Sequence, residues 1–421
     1  MKHKRNENGF HHIVLLLVVI IIAVIGFAGW TVYNNNKSGN HKNGSKETTK
    51  GLNLVAGEQV DNQGCTGTGS VQFGTSPMAP QDIGSILPYG GMVGAHVTPI
   101  DHMYFSPIVF NSPRDTYEVR AMADGLITAI GERTQQVTDV NNGAPKKAEY
   151  QIKFWYSCDF ASYYDLITSL SPRLKAEFDT HKNNGGYAGL QIKVKEGEVV
   201  GRIGGQTLDF AVYDYKKILP GFIVPEHYLA ESWKVHVVNP FSYFKEPVRS
   251  QLLALDPRQA PPREGKLDYD KDGKLVGTWF KEGNNGFAPT NGQVTSPWRA
   301  HLSFVYDSID PSTLTISIGD YGGQSEQFFV KSNSPDPADI STSSGLVKYE
   351  LTQRSYYRSS TGQNWDNMHV FTDIVARPGP VTQGVALAQM TSDRKLKFEA
   401  SPGKTATQVT GFDSKAIIYE R

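Results

Sequence analysis

Residues Ile13 to Val32 (IVLLLVVIIIAVIGFAGWTV) carry no charged side chain over about the twenty residues that a helix needs to cross a hydrocarbon core. The run predicts a single N-terminal transmembrane helix over residues 13–33, with the lipid bilayer as its partner. Lys2, Lys4 and Arg5 lie in a short leader, residues 1–12, whereas Lys37, Lys42 and Lys46 follow only after a polar gap. The basic cluster nearest the run is therefore N-terminal. That bias sets the N-terminus inside and the C-terminal bulk on the extracellular or periplasmic side of the cytoplasmic membrane. A cleaved secretory signal is the rival reading, but the run exceeds an ordinary h-region and no small-x-small site follows it closely.

Residues 34–56 are rich in Asn, Lys, Ser and Gly without an apolar period, the composition of a flexible tether. What remains of the 421 residues is long enough for two domains of ordinary size. The formal net charge is zero and no basic stripe stands out, so nucleic acid is excluded as a partner. Frequent Gly, Tyr and Thr in short alternating runs predict a mostly β chain. The first domain is expected at 57–250, with one short helix over Ser171 to Lys182, which begins Ser-Pro. Clustered Pro and charge predict a connection over residues 251–265. Residues 266–421 hold a second series of strand candidates, spaced as in a closed β-barrel or a β-sandwich; two of these are Val370 to Val375 and Val385 to Gln389. Cys65 and Cys158 are the sole cysteines, so a cysteine-rich zinc site is impossible; one disulfide or two unpaired thiols both remain open.

Four stretches carry a family resemblance. Val119 to Ile127 (VRAMADGLI), Ala161 to Ile167 (ASYYDLI), Val194 to Gly204 (VKEGEVVGRIG) and Thr207 to Val212 (TLDFAV), the last followed by Val238 to Phe244 (VNPFSYF), occur in the order found in zinc metallopeptidase domains of the lysostaphin and LytM type, the duplicated hybrid motif. The resemblance spans roughly residues 90–245 and implies a compact β-domain that meets peptide cross-links of the bacterial wall. Members of that family hold zinc with an early His and Asp and with the second His of a late His-x-His. The first His of that pair and another after the tyrosine-rich strand assist the attacking water.

This sequence departs from that pattern where protons move. The late pair is Thr207 and Asp209, and the position after Tyr163 and Tyr164 is Asp165. Neither Thr207 nor Asp165 offers an imidazole that exchanges a proton near neutral pH. His96, Asp101 and His102 remain in GAHVTPIDHMYF, but four residues separate His96 from Asp101 where the family has three. His96, Asp101 and Asp209, with His102 as a substitute, make one candidate set for a divalent metal such as zinc. The alternative is a tight turn at Pro99 with the histidines bonded to nearby backbone.

Weaker patterns complete the reading. Gly9-Phe10 before the apolar run resembles the processing site of type IV prepilins and implies a pilin-like assembly subunit, although Val14 stands where that family has Glu. Asp268, Asp270 and Asp272 before Gly273 match the opening of a calcium loop, but Trp279 occupies the place of the bidentate Glu, which favours a solvated turn. Gly277-Thr278-Trp279 resembles the Gly-x-Trp of lipocalins and implies a barrel around a small apolar ligand; a Trp packing one end of any barrel gives the same pattern. The expectation is a membrane-anchored envelope protein with no catalytic residues, whose degenerate peptidase-like domain binds peptidoglycan peptide or an envelope protein. An active metal-dependent endopeptidase is the alternative, and a pilin-like subunit the second.

Overall fold

The computed structural model describes residues 62–133, 148–288 and 297–421. The leader, the apolar run, the prepilin-like junction and the tether lie outside them. Among the described residues no helix is long and apolar enough to cross a membrane.

The first half runs β1 (Ile83–Leu87), β2 (Met103–Pro107), β3 (Tyr117–Arg120), β4 (Gly125–Arg133), β5 (Glu149–Ser157), β6 (Phe160–Ile167), β7 (Ser169–Leu170), α1 (Pro172–His181), β8 (Tyr187–Val194), β9 (Val199–Ile203), β10 (Leu208–Asp214) and α2 (Val248–Ala254). Seven strands form one sheet in the order β1-β2-β10-β6-β5-β4-β8, and β3-β9-β7 form a second. Period-two patterning is plain in β8, where Ala188, Leu190, Ile192 and Val194 are buried and the residues between them exposed. The central strand β6 is buried at every position, because the core covers one of its faces and a polar cluster the other. On the core face Phe73, Phe160, Phe210 and Phe244 pack ring against ring, and the Tyr164 hydroxyl donates to Arg120 O. Helix α1 starts after Ser171, as its Ser-Pro signal predicts, and buries Leu174 and Phe178, four residues apart on one face.

The second half is a closed barrel of β11 (Gly277–Lys281), β12 (His301–Tyr306), β13 (Leu314–Tyr321), β14 (Gln324–Val330), β15 (Val347–Arg358), β16 (Ile374–Ser392), β17 (Lys395–Pro402) and β18 (Ile417–Glu420). Closure decides between barrel and sandwich. Alternate residues of all eight strands, among them Trp279, Phe304, Ile316, Phe328, Tyr349, Ala388, Phe398 and Tyr419, meet in one interior cluster. An eight-stranded barrel is just wide enough for side chains to fill, and here they take the place expected for a small apolar ligand. The candidate at 370–375 reaches into the strand only at its last two residues and that at 385–389 lies inside the same strand: β16 pairs with β15 from Ile374 to Ala388, past bulges around Thr352. Gly277 is dictated by geometry, since its φ is +119° and a Cβ would come within 2.2 Å of Asp270 Oδ1.

The proline-rich segment joining the halves is a packed strap. Arg258 is 1% exposed, and its guanidinium donates to Ala260 O, Pro262 O and, across to the barrel half, Ser308 O. Clustered Pro and charge look mobile in a sequence; here the charge is an internal donor to backbone carbonyls of a segment whose prolines offer no amide N–H. Residues 251–254, expected in the connection, belong to α2. Gly94 and Gln327 bond reciprocally at 2.9 Å, and Arg354 donates to Met92 O, so the loop that bears His96 is pinned to the barrel.

The calcium-like loop diverges. Asp268 accepts from Gly221 N and Lys266, Asp270 from Thr278 N, and Asp272 from Arg394. Three carboxylates that each face their own donors are structural fasteners.

Candidate functional site

Strand register builds the site floor. Tyr104 on β2 stands opposite Asp209 on β10, and Asp209 opposite Asp165 on β6, so the three share one row on the face away from the core. Period two adds Tyr163 and Thr207 to that face. The row continues into β5 and β4 through Gln151, whose Nε2 donates to Asp165 Oδ2 at 2.9 Å, and Arg133, whose guanidinium pairs with the same oxygen.

His102, at the entry to β2, bridges two carboxylates. Its Nδ1 lies 3.5 Å from Asp101 Oδ1 and its Nε2 3.5 Å from Asp209 Oδ2, ion-pair separations longer than a good hydrogen bond. Nε2 also reaches the Tyr104 hydroxyl at 3.2 Å. His96 comes close edge-on, with ring centroids 5.7 Å apart, but its Nε2 has no hydrogen-bond partner among the described residues; of its backbone, the amide donates to Val93 O. The His96 amide thus closes a turn on Val93, while the His102 ring faces side chains rather than nearby backbone.

Two residues invisible to motif reasoning complete the cluster. Trp233 Nε1 donates to Asp101 Oδ2 at 2.9 Å, and Lys234 Nζ donates to Asp101 Oδ1 at 3.4 Å. Lys234 is 3% exposed, lies 3.9 Å from Glu231 Oε2 and sits 5.2 Å above the Phe287 ring. Nothing in ESWKVH marks this lysine as interior. The one indirect signal is that a buried carboxylate such as Asp101 needs a counter-charge.

Electrostatics follow from burial and these partners. Burial would raise the Asp101 carboxyl, but the Lys234 ammonium and His102 outweigh it and hold the group well below the usual carboxylate range. Burial would lower His102, yet Asp209 and Asp101 outweigh it and hold the imidazole above its ordinary value. Asp209, buried and opposite Asp165, is pushed up to about 7. His96 is pushed down to about 3 by burial and then by His102 and Lys234.

The sequence-selected residues His96, Asp101, His102, Asp165, Thr207 and Asp209 thus assemble in one place. They do not fit a zinc ion. Among the described residues no group of three or more His, Cys, Asp or Glu side chains is placed to hold a metal. The donor set explains why: both Asp101 oxygens are occupied by Trp233 and Lys234, and the His102 ring nitrogens face Asp101 and Asp209. Asp165 is equally committed, since Oδ2 receives Arg133 and Gln151 and Oδ1 receives Leu166 N at 2.7 Å. Thr207 Oγ1 points to Asp209 Oδ1 at 3.4 Å.

Cys65 and Cys158 are joined in a disulfide. It ties the segment at the start of the described residues to the β5–β6 turn, where Asn62 Nδ2 also donates to Cys158 O.

No family model matches this chain, and no curated protein matches it. Solved structures do. Helicobacter pylori Csd3 is similar in its orthorhombic crystal form, at 15% identity and a TM-score of 0.22 over 42% of this chain and 35% of that one. Its hexagonal form gives 16% and 0.23, over 42% and 34%. A chain of the SpoIIQ-SpoIIIAH pore forming complex gives 11% and 0.25, over 43% of this chain and 96% of that one. The match spans about a third of the Csd3 chains, and similarity at these TM-scores assigns no family.

Proposed function

We propose that this is a membrane-anchored envelope protein whose LytM-like domain binds wall peptide, or a partner protein of the envelope, without cutting it. The observation that carries this reading is Asp165. Where the resembling peptidases use an imidazole to handle the proton of the attacking water, this chain holds a carboxylate whose two oxygens already accept from Arg133, Gln151 and Leu166 N. A saturated acceptor is a poor general base, and Thr207 offers only a hydroxyl. The Cys65–Cys158 disulfide fits an oxidising compartment, as an extracytoplasmic C-terminal bulk requires.

The test uses the full chain in detergent with purified wall sacculi. Co-sedimentation without release of new amino groups is expected. Chelator-sensitive release of peptide overturns the reading, and loss of co-sedimentation moves the partner from wall to protein.

A further inference from the structure

We infer that Lys234 is the site's built-in cation, seated on the Asp101 carboxylate that the resemblance implies as a metal ligand, so that the buried cluster is closed to metal by its own side chains. The inference concerns metal rather than wall binding, although it deepens the non-catalytic reading of the same site.

A lysine is almost never fully buried unless it is paired, and Lys234 is 3% exposed with its ammonium on Asp101 Oδ1. Asp101 is the early carboxylate of the resemblance. Its other oxygen is fixed by Trp233 Nε1, the residue adjacent to the lysine, so one short segment brings both donors to one carboxylate. Phe287 lies beneath the ammonium and supplies a ring face that favours a cation.

Carboxylates of the cluster already face cationic groups of the protein itself. Asp165 faces Arg133, Asp101 faces Lys234, and His102 lies between Asp101 and Asp209. Glu231 also lies beside Lys234, at 3.9 Å. Among the described residues, a divalent ion entering this cluster has to expel the ammonium and the indole N–H from Asp101, with no group of three ligands placed to receive it.

The experiment compares the full chain in detergent with Lys234→Met, Lys234→Arg and the double variant Lys234→Met/Asp101→Asn. The readouts are zinc content after equilibration and dialysis, and thermal midpoint. Wild type is expected to retain well under one equivalent of zinc, with a midpoint indifferent to zinc and to chelator. Lys234→Met strands Asp101 and lowers the midpoint by on the order of 10 °C, Lys234→Arg keeps most of it, and the double variant recovers most of the loss because neither charge remains. If Lys234→Met does not fold, the double variant and Lys234→Arg decide by folding. About one equivalent of zinc in wild type, an unmoved midpoint in Lys234→Met, or a double variant no better than the single one each overturns the inference. These outcomes differ from peptide release, which tests the non-catalytic reading itself.

Discussion

Asp209 and Asp165 stand opposite one another on neighbouring antiparallel strands, two carboxylates in register on a buried face. Like charges so placed resist joint ionisation, and Arg133 settles the matter by pairing with Asp165. Asp209 is left as the group that holds its proton, with burial and Asp165 raising it to about 7 against the His102 charge.

The folded carboxyl of Asp209 is raised above its unfolded value, so its contribution to stability is full below about pH 4 and is lost as pH rises through 7. Asp209→Asn lacks that titration. Denaturant midpoints of the two proteins should therefore separate steadily as pH rises from about 4 and level off above 7, with the variant gaining about 2 kcal/mol relative to wild type between pH 5.5 and 8.5. Parallel profiles would show that Asp209 is ionised throughout.

His301 behaves in the opposite sense. Burial pushes it down to about 4, although its Nε2 contact with Phe287 O at 2.7 Å favours a proton. With the folded value below the unfolded one, its contribution is full above pH 6.5 and declines as pH falls toward 4, by about 1.4 kcal/mol per pH unit. The His301 ring resonances should not titrate between pH 7 and 5, and His301→Gln should flatten the acid limb of the stability profile.

Arg421 lies with its guanidinium 4.0 Å over the Trp279 ring and donates to Val276 O, Lys271 O and Lys274 O beside the buried Asp270. Trp279 anchors to Leu275 O, so the pair closes one end of the barrel. Arg421→Met should cost about 3–5 kcal/mol, because it strands Asp270 and three carbonyls. Arg421→Lys should recover little, since an ammonium lacks the planar fork that spans them. Urea unfolding of the purified variants measures both.

Reduction of the Cys65–Cys158 bond should lower stability by about 4–5 kcal/mol on the chain-entropy view, because the bond spans 93 residues of sequence. Urea midpoints with and without reductant measure the loss. The double variant Cys65→Ser/Cys158→Ser should match the reduced protein and ignore reductant.

Local features were legible where the physics is local. Ser171-Pro172 announces α1, alternation marks β8, and residue type alone shows that Thr207, Asp209 and Asp165 bring a hydroxyl and two carboxyls to the site. The merging of two strand candidates into β16 was not legible. A 19-residue strand survives its interrupting Pro and Gly only because β15 and β17 pair along it.

What the sequence determined by itself is the apolar run of residues 13–32, the mostly β character, and the set of side chains that period-two geometry puts on one face of a strand. Tertiary structure alone decided how the charges on that face are neutralised. Lys234 reaches Asp101 across 133 residues of chain and Arg133 reaches Asp165 across 32, and no local propensity encodes such pairings. They exist because a buried carboxylate must find a cation wherever the fold brings one, and only the closed sheet determines which cation that is.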